Sequence, residues 1–150
     1  MLYIEQLSSV VIETCKNSPG RISSRVLCHN YDLKDQLLTA TQRSGEKAST
    51  SSYTYDSVGN VTSVTNGNGK VTSYSYDQLS NLVERMTSLG DKETYTYNVN
   101  NQLEKVTKSD GKTISYDYNK LDQLLKVEYS EKQEGQVLYT YDADGRRVSM

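Results

Sequence analysis

Tyr53-Thr54-Tyr55-Asp56-Ser57-Val58-Gly59-Asn60-Val61 is the stretch on which the fold turns. Two tyrosines two residues apart, set among β-branched and hydroxyl side chains, share one face of a strand. Asp56 then opens a tight turn, because its carboxylate can accept main-chain N–H groups further along. Gly59 closes that turn, since glycine enters positive φ at little cost. Val61 begins a returning strand, which runs through Val64 into Asn66-Gly67-Asn68-Gly69, a hairpin signal.

The stretch recurs. Tyr-x-Tyr followed by Asp or Asn stands again at Tyr74-Ser75-Tyr76-Asp77, Tyr95-Thr96-Tyr97-Asn98, Tyr116-Asp117-Tyr118-Asn119 and Tyr139-Thr140-Tyr141-Asp142. From Tyr55 onward the second tyrosines lie 21, 21, 21 and 23 residues apart. One unit earlier, His29-Asn30-Tyr31-Asp32 keeps the second tyrosine and puts histidine at the first position. Four residues after each second tyrosine comes a turn former: Asp35, Gly59, Ser80, Asn101, Asp122 and Gly145. Asn or Gln usually follows, then an aliphatic residue: Leu37, Val61, Leu82, Leu103, Leu124. A second apolar position lies three further on, at Ala40, Val64, Val106 and Val127. Arg85 breaks that series, and the neighbouring Met86 is expected to replace it by a one-residue slip.

Each unit therefore reads as two antiparallel strands and two turns, and the fold class as all-β. Stacked units set Tyr beside Tyr and Leu beside Leu on adjacent strands, the pairs that stabilise sheets. Leu103 and Val106 are three apart, so a regular strand would send them to opposite faces. Two readings stay open: a bulge re-aims one of them, or both faces are partly covered.

Residues 31–150 form the tandem array, in units starting near Tyr31, Tyr55, Tyr76, Tyr97, Tyr118 and Tyr141; residues 1–30 are read as a degenerate first repeat or cap. Pro19-Gly20-Arg21-Ile22 matches Val58-Gly59-Asn60-Val61, which lays Val11-Ile12-Glu13-Thr14-Cys15 over the tyrosine-bearing strand. Tyr3, Leu7, Val10, Val11 and Thr14 also fit a helical stripe, so strand and helix both remain open there, with strand preferred.

All the aromatic residues are tyrosine, 13 of them, with no Trp or Phe. Tyrosine and valine must then fill whatever core exists, each phenol finding water or a partner at the rim. A net charge of −2 with interspersed signs gives no basic face, so neither nucleic acid nor membrane insertion is expected. The N-terminus lacks a signal peptide's basic and apolar regions, so export would depend on a longer parent or another route.

The unit resembles that of the Rhs/YD-repeat family, Tyr-Asp-x-x-Gly-Arg-Leu with a further Gly about ten residues on. Tyr55-Asp56-Ser57-Val58-Gly59-Asn60-Val61 and Tyr141-Asp142-Ala143-Asp144-Gly145-Arg146-Arg147 carry it best, and the likeness spans about residues 16 to 150. The family includes bacterial polymorphic toxins, wall-associated proteins, insecticidal toxin-complex components and teneurins. The resemblance implies a long sheet that spirals into a hollow shell, of which this chain would be a curved open segment. It also implies a secreted or cell-surface parent, whose shell encloses an effector in the toxin members. In other members the repeats serve cell-surface contact, and carbohydrate binding by exposed tyrosines is the alternative reading. Neighbouring repeats of the parent, or self-association through open sheet edges, are the expected partners.

The chain departs from the family in having no counterpart of the Asp-Pro-rich self-cleaving segment; its single proline is Pro19. No effector is expected within it, and no enzyme activity. Cys28 and His29 are the tempting nucleophile and base, but adjacent strand residues point to opposite faces. His29 stands where other units have tyrosine and reads as a packing residue. Cys15, Cys28 and one histidine cannot complete a four-ligand zinc site alone. Two free thiols are expected of the cysteines, a disulfide between them being the alternative. Asp142-Ala143-Asp144-Gly145 looks like the start of a calcium loop, yet reads better as one more Asp-led turn. No cofactor or metal is expected. The repeat signature residues (Tyr31, Asp32, Tyr53, Tyr55, Asp56, Gly59, Tyr74, Tyr76, Asp77, Tyr95, Tyr97, Asn98, Tyr116, Tyr118, Asn119, Tyr139, Tyr141, Asp142 and Gly145) are expected to be structural.

Overall fold

Every regular element among the described residues of the computed structural model is a strand; these residues are 12–17, 25–44, 46–130 and 135–149. The N-terminal stretch of Tyr3, Leu7, Val10 and Val11, and the Pro19-Gly20-Arg21-Ile22 turn, lie outside them. Two compact units divide the chain, Met1–Tyr74 and Ser75–Met150.

In the first unit the strands are β1 (Ile12–Asn17), β2 (Arg25–Tyr31), β3 (Leu37–Ser44), β4 (Lys47–Tyr55) and β5 (Val61–Thr65), with β6 (Val71–Tyr76) running across the division. They pair antiparallel in chain order. The second unit continues with β7 (Leu82–Thr87), β8 (Lys92–Tyr97), β9 (Leu103–Lys108), β10 (Thr113–Tyr118), β11 (Leu124–Tyr129) and β12 (Gln136–Leu138), again antiparallel in chain order. β13 (Thr140–Tyr141) and β14 (Arg147–Ser149) form a separate pair. The strand reading of Ile12–Cys15 thus prevails over the helical one for those residues.

A bulge settles the spacing of Leu103 and Val106. In β8–β9 the register runs Thr96↔Lys105 and then Tyr97↔Leu103, leaving Glu104 as an extra residue. The same skip leaves Leu38, Thr62, Leu125 and Val148 over at the equivalent places. An inserted residue restores the side-chain phase, so the first aliphatic and the second apolar position share a face. Glu104 and Leu125 are exposed, whereas Val106 and Val127, 8% and 6% accessible, are the only buried hydrophobic side chains among the described residues, and neither is sealed completely. The core of the second unit is therefore gathered on one sheet face, where half-buried tyrosines flank Val106 and Val127. The opposite face is laced by hydroxyls, as where the Thr54 and Thr62 Oγ1 atoms lie 2.8 Å apart and Thr54 Oγ1 and Ser63 Oγ 2.7 Å.

Two expectations are corrected. Cys28 is disulfide-bonded, not a free thiol, and the residue opposite it in the β1–β2 ladder is Cys15. Facing positions on paired strands are close enough for such a bridge, which a count of cysteines could not reveal. Nor does Met86 slip inward. Arg85 stays in register on the half-buried face and pairs with Glu93 at 3.2 Å, while Met86 is 42% exposed. Slipping one residue would turn every later side chain of β7 to the wrong face, so a neutralised charge is the cheaper solution.

Candidate functional site

Six turns after the tyrosine strands share one construction. Asp56 Oδ1 accepts the main-chain N–H groups of Val58 (3.0 Å) and Asn60 (2.8 Å). Asp32, Asp77, Asn98, Asn119 and Asp142 each take the N–H groups two and four residues on in the same way. Every turn ends on a positive φ, at Asp35 (60°), Gly59 (100°), Ser80 (63°), Asn101 (64°), Asp122 (61°) and Gly145 (78°). Gly59 needs its missing side chain twice over, since a Cβ there would also stand 3.2 Å from Gln36 Nε2. Burial works to raise the Asp56 carboxyl, but the bonds from Asn60, Val58 and Gly59 outweigh it and hold the group below the usual carboxylate range. At Asp77 the Asn81 side chain and backbone lower it likewise.

The carboxamide that follows three of these turns joins one unit to the next, a role sequence reasoning missed. Asn81 Nδ2 donates both to Asp77 Oδ2 at 2.9 Å and to Asn101 Oδ1 at 2.5 Å. Gln102 accepts from Asn98 Nδ2 at 2.8 Å and donates to Asp122 Oδ1 at 3.1 Å. Gln123 accepts from Asn119 Nδ2 at 2.7 Å and donates to the Gly145 carbonyl at 3.3 Å. The signal was present as the recurring Asn or Gln; what it contacts depends on the stacking.

The second tyrosines make a further set of bonds. Tyr55 Oη donates to the Leu37 carbonyl (2.8 Å), Tyr97 to Leu82 (2.9 Å), Tyr118 to Leu103 (3.0 Å) and Tyr141 to Leu124 (2.8 Å). In each case the acceptor is the first aliphatic residue of the preceding unit. The β9–β10 ladder stops at Ser115↔Lys105, before it reaches Leu103. The bulge has let the strands part there, and the phenol satisfies a carbonyl that the ladder no longer reaches. Phenylalanine could fill the space but not close that gap. Burial raises the phenols of Tyr55, Tyr97 and Tyr118 above the ordinary value of 10.0.

The first tyrosines are placed differently. Tyr53, Tyr95 and Tyr116 face Val64, Val106 and Val127 across the ladder. Tyr95 donates to Glu93 at 2.9 Å, so Arg85, Glu93 and Tyr95 form a small polar cluster on the tyrosine face. Burial, then the Glu93 hydrogen bond and charge, push the Tyr95 phenol up to about 12. Other units hold Val64↔Thr72 or Val106↔Ile114 where this one holds Arg85↔Glu93. Tyr139 takes the Arg147 guanidinium against its ring, 5.6 Å from the centroid. Tyr31 stands beside His29, ring centroids 6.3 Å apart, and Tyr74 and Tyr76 lie in β6.

Cys28 and His29 come together as neighbours in β2 only. The thiol is consumed in a disulfide, which removes it as a nucleophile. Asp142 uses Oδ1 on Asp144 N and Arg146 N, and the Asp144 carboxylate lies 3.6 Å from the Arg146 guanidinium. An open groove of about 670 Å³ over β10–β12 is lined chiefly by Thr113, Ser115, Glu128 and Gln136. Tyr129 also lines it, so its surface mixes polar and apolar groups.

These features define a tandem-repeat antiparallel β-sheet whose side-chain chemistry fastens unit to unit. Residues 55–94, nearly two of the units described above, match the family model for the RHS Repeat. Comparison with curated protein sequences finds no match. Among solved structures the chain is similar to the crystal structure of TcdB2-TccC3-Cdc42, with a TM-score of 0.70 at 14% identity over 93% of this chain and 10% of that one. The crystal structure of TcdB2-TccC3 gives 0.70 at 13% identity, over 91% and 10%. That of TcdB2-TccC3 without its hypervariable C-terminal region gives 0.69 at 12%, over 91% and 9%. At such identity the likeness establishes the fold. The chain spans about a tenth of the length of those it resembles.

Proposed function

We propose that the chain is a non-enzymatic wall segment of an RHS-type shell, which in a longer parent encloses an effector polypeptide. The observation that carries this reading is the double fastening between units, phenol to carbonyl and carboxamide to turn. Recurring polar side chains are engaged in holding repeats together, leaving few for chemistry. The fold shared with TcdB2-TccC3 structures over a tenth of their length supports a segment role. The pairing of β1 with β2 supports reading residues 1–30 as a degenerate repeat. A disulfide at Cys28 supports a secreted or cell-surface parent, because such bonds persist in oxidising compartments. Carbohydrate binding by exposed tyrosines has less behind it: the tyrosine pairs are mostly half-buried, and four of their phenols are bonded to main-chain carbonyls.

The partners on this account are neighbouring repeats, joined by continuation of the sheet, or a second copy through an open sheet edge. Limited proteolysis of the longest polypeptide that carries these repeats tests the function. The enclosed segment is expected to resist protease until the repeats are unfolded; cleavage of every other segment under native conditions overturns enclosure. Sedimentation of the chain itself tests the edges, with concentration-dependent association expected.

A further inference from the structure

We propose that Asn66 is a self-modifying residue, which the folded hairpin between β5 and β6 poises for conversion to aspartate and isoaspartate. Asn66-Gly67-Asn68-Gly69 places two Asn-Gly pairs in one exposed turn, and sequence alone treats them alike. The structure separates them. Asn66 Oδ1 accepts the N–H groups of Asn68 at 3.0 Å and Lys70 at 3.1 Å. Those bonds fold the side chain back over the main chain and polarise its amide carbonyl. Gly67 supplies the attacking nitrogen, and among the described residues no hydrogen bond holds its N–H. A Cβ at position 67 would overlap the Ser49 side chain, so any other residue there would have to displace Ser49. Asn68 has the opposite arrangement. The nitrogen that would attack it belongs to Gly69, whose N–H already donates to the Asn66 carbonyl at 2.8 Å.

The chemistry needs only water. The Gly67 N–H loses its proton to solvent base and the nitrogen bonds to Asn66 Cγ. The developing negative charge falls on Oδ1, where two N–H donors already point, as in an oxyanion hole. The Cγ–Nδ2 bond breaks, ammonia leaves with a proton from solvent, and a five-membered succinimide remains. Water then opens either ring carbonyl, giving aspartate or isoaspartate. Asn98 and Asn119 share the same turn and the same two donors, but Val99 and Lys120 crowd the attacking nitrogen. The two products differ in consequence. Aspartate is the residue at the equivalent place in the turns of Asp32, Asp56, Asp77 and Asp142, so that product keeps the turn and adds a negative charge. Isoaspartate adds an atom to the main chain and disrupts the bonds from Asn66 N to Lys70 O and from Gly69 N to Asn66 O. The hairpin therefore carries a chemical clock that marks or loosens one rim of the first unit with age.

The test incubates the intact chain in mildly alkaline buffer, folded and in urea, and follows each asparagine by peptide mapping with isoaspartate-specific methylation. One lost oxyanion donor costs about 100-fold or more in a closed enzyme site, and in an exposed turn at least about tenfold is expected between Asn66 and Asn68. Asn66 should lead Asn68, Asn98 and Asn119 by that margin in the folded chain, and the lead over Asn68 should collapse in urea. Asn66→Asp, which mimics the retained turn, should unfold at the same urea concentration as the parent chain. Equal rates at Asn66 and Asn68 in the folded chain, or a faster reaction at Asn66 in urea than in the fold, would overturn the proposal.

Discussion

Replacing Tyr118 by phenylalanine removes one oxygen and nothing else, which isolates the bond between units. That phenol donates to the Leu103 carbonyl at 3.0 Å from a half-buried position. A hydrogen bond of this kind contributes about 0.5–1.5 kcal/mol net, and leaving the carbonyl short of a partner works in the same direction. Water reaches part of the site, so the expected cost is about 1 kcal/mol rather than the larger penalty of a sealed orphan. Tyr116, two residues earlier on the same strand and face, is the control. Its phenol makes no hydrogen bond among the described residues, and its ring packs beside Val127. Tyr116→Phe should stay within about 0.5 kcal/mol, as changes away from specific contacts do. Urea unfolding followed by circular dichroism reads both, with an unchanged slope required so that the midpoint alone carries the difference. Equal losses from the two variants, or no loss from Tyr118→Phe, would refute the assignment of the phenol to the seam between repeats.

The polar cluster on the tyrosine face gives a second expectation. Arg85→Val alone should cost about 1 kcal/mol by leaving the Glu93 carboxylate with the Tyr95 phenol but no cation, whereas Arg85→Val with Glu93→Ile, which recreates Val106↔Ile114 and releases the Tyr95 phenol to water, should cost less; thermal melts of the four-member cycle decide it. Alkali should weaken the fold. Burial raises the phenols of Tyr55, Tyr97, Tyr116 and Tyr118 above 10.0, and burial with the Glu93 bond takes Tyr95 to about 12, so the neutral forms are favoured in the folded state. That contribution is complete below the unfolded value of 10.0 and is lost as pH climbs through the raised values, so the urea midpoint should fall together with the rise of tyrosinate absorbance. Reduction of the disulfide at Cys28 should lower the stability of the first unit by about 3 kcal/mol, the usual effect of closing a loop of this size, and leave the second unchanged; hydrogen exchange with and without reductant separates the two.

Much of the fold was legible because its signals are local. A tyrosine pair at period two marks a face, and a residue able to take positive φ four places after Tyr55 or Tyr97 marks the turn. The structure puts Gly59 and Asn101 at φ 100° and 64° there. What stayed hidden depends on register. The spacing of Leu103 and Val106 signalled an irregularity, but only the pairing of Tyr97 with Leu103 and Thr96 with Lys105 makes it a bulge. Arg85 looked like an error in an apolar series because its partner Glu93 sits eight residues away, opposite it only once β7 and β8 are paired. The phenol-to-carbonyl bonds were invisible for the same reason: Tyr118 and Leu103 are 15 residues apart, and the carbonyl is open only where the strands part.

Electron cryomicroscopy of the longest polypeptide that carries these repeats tests the central claim most directly. The account predicts that the units continue strand beside strand, about 4.8 Å apart, into a wall around a closed volume that holds another part of the polypeptide. A sheet with both faces open to solvent and nothing enclosed would contradict it.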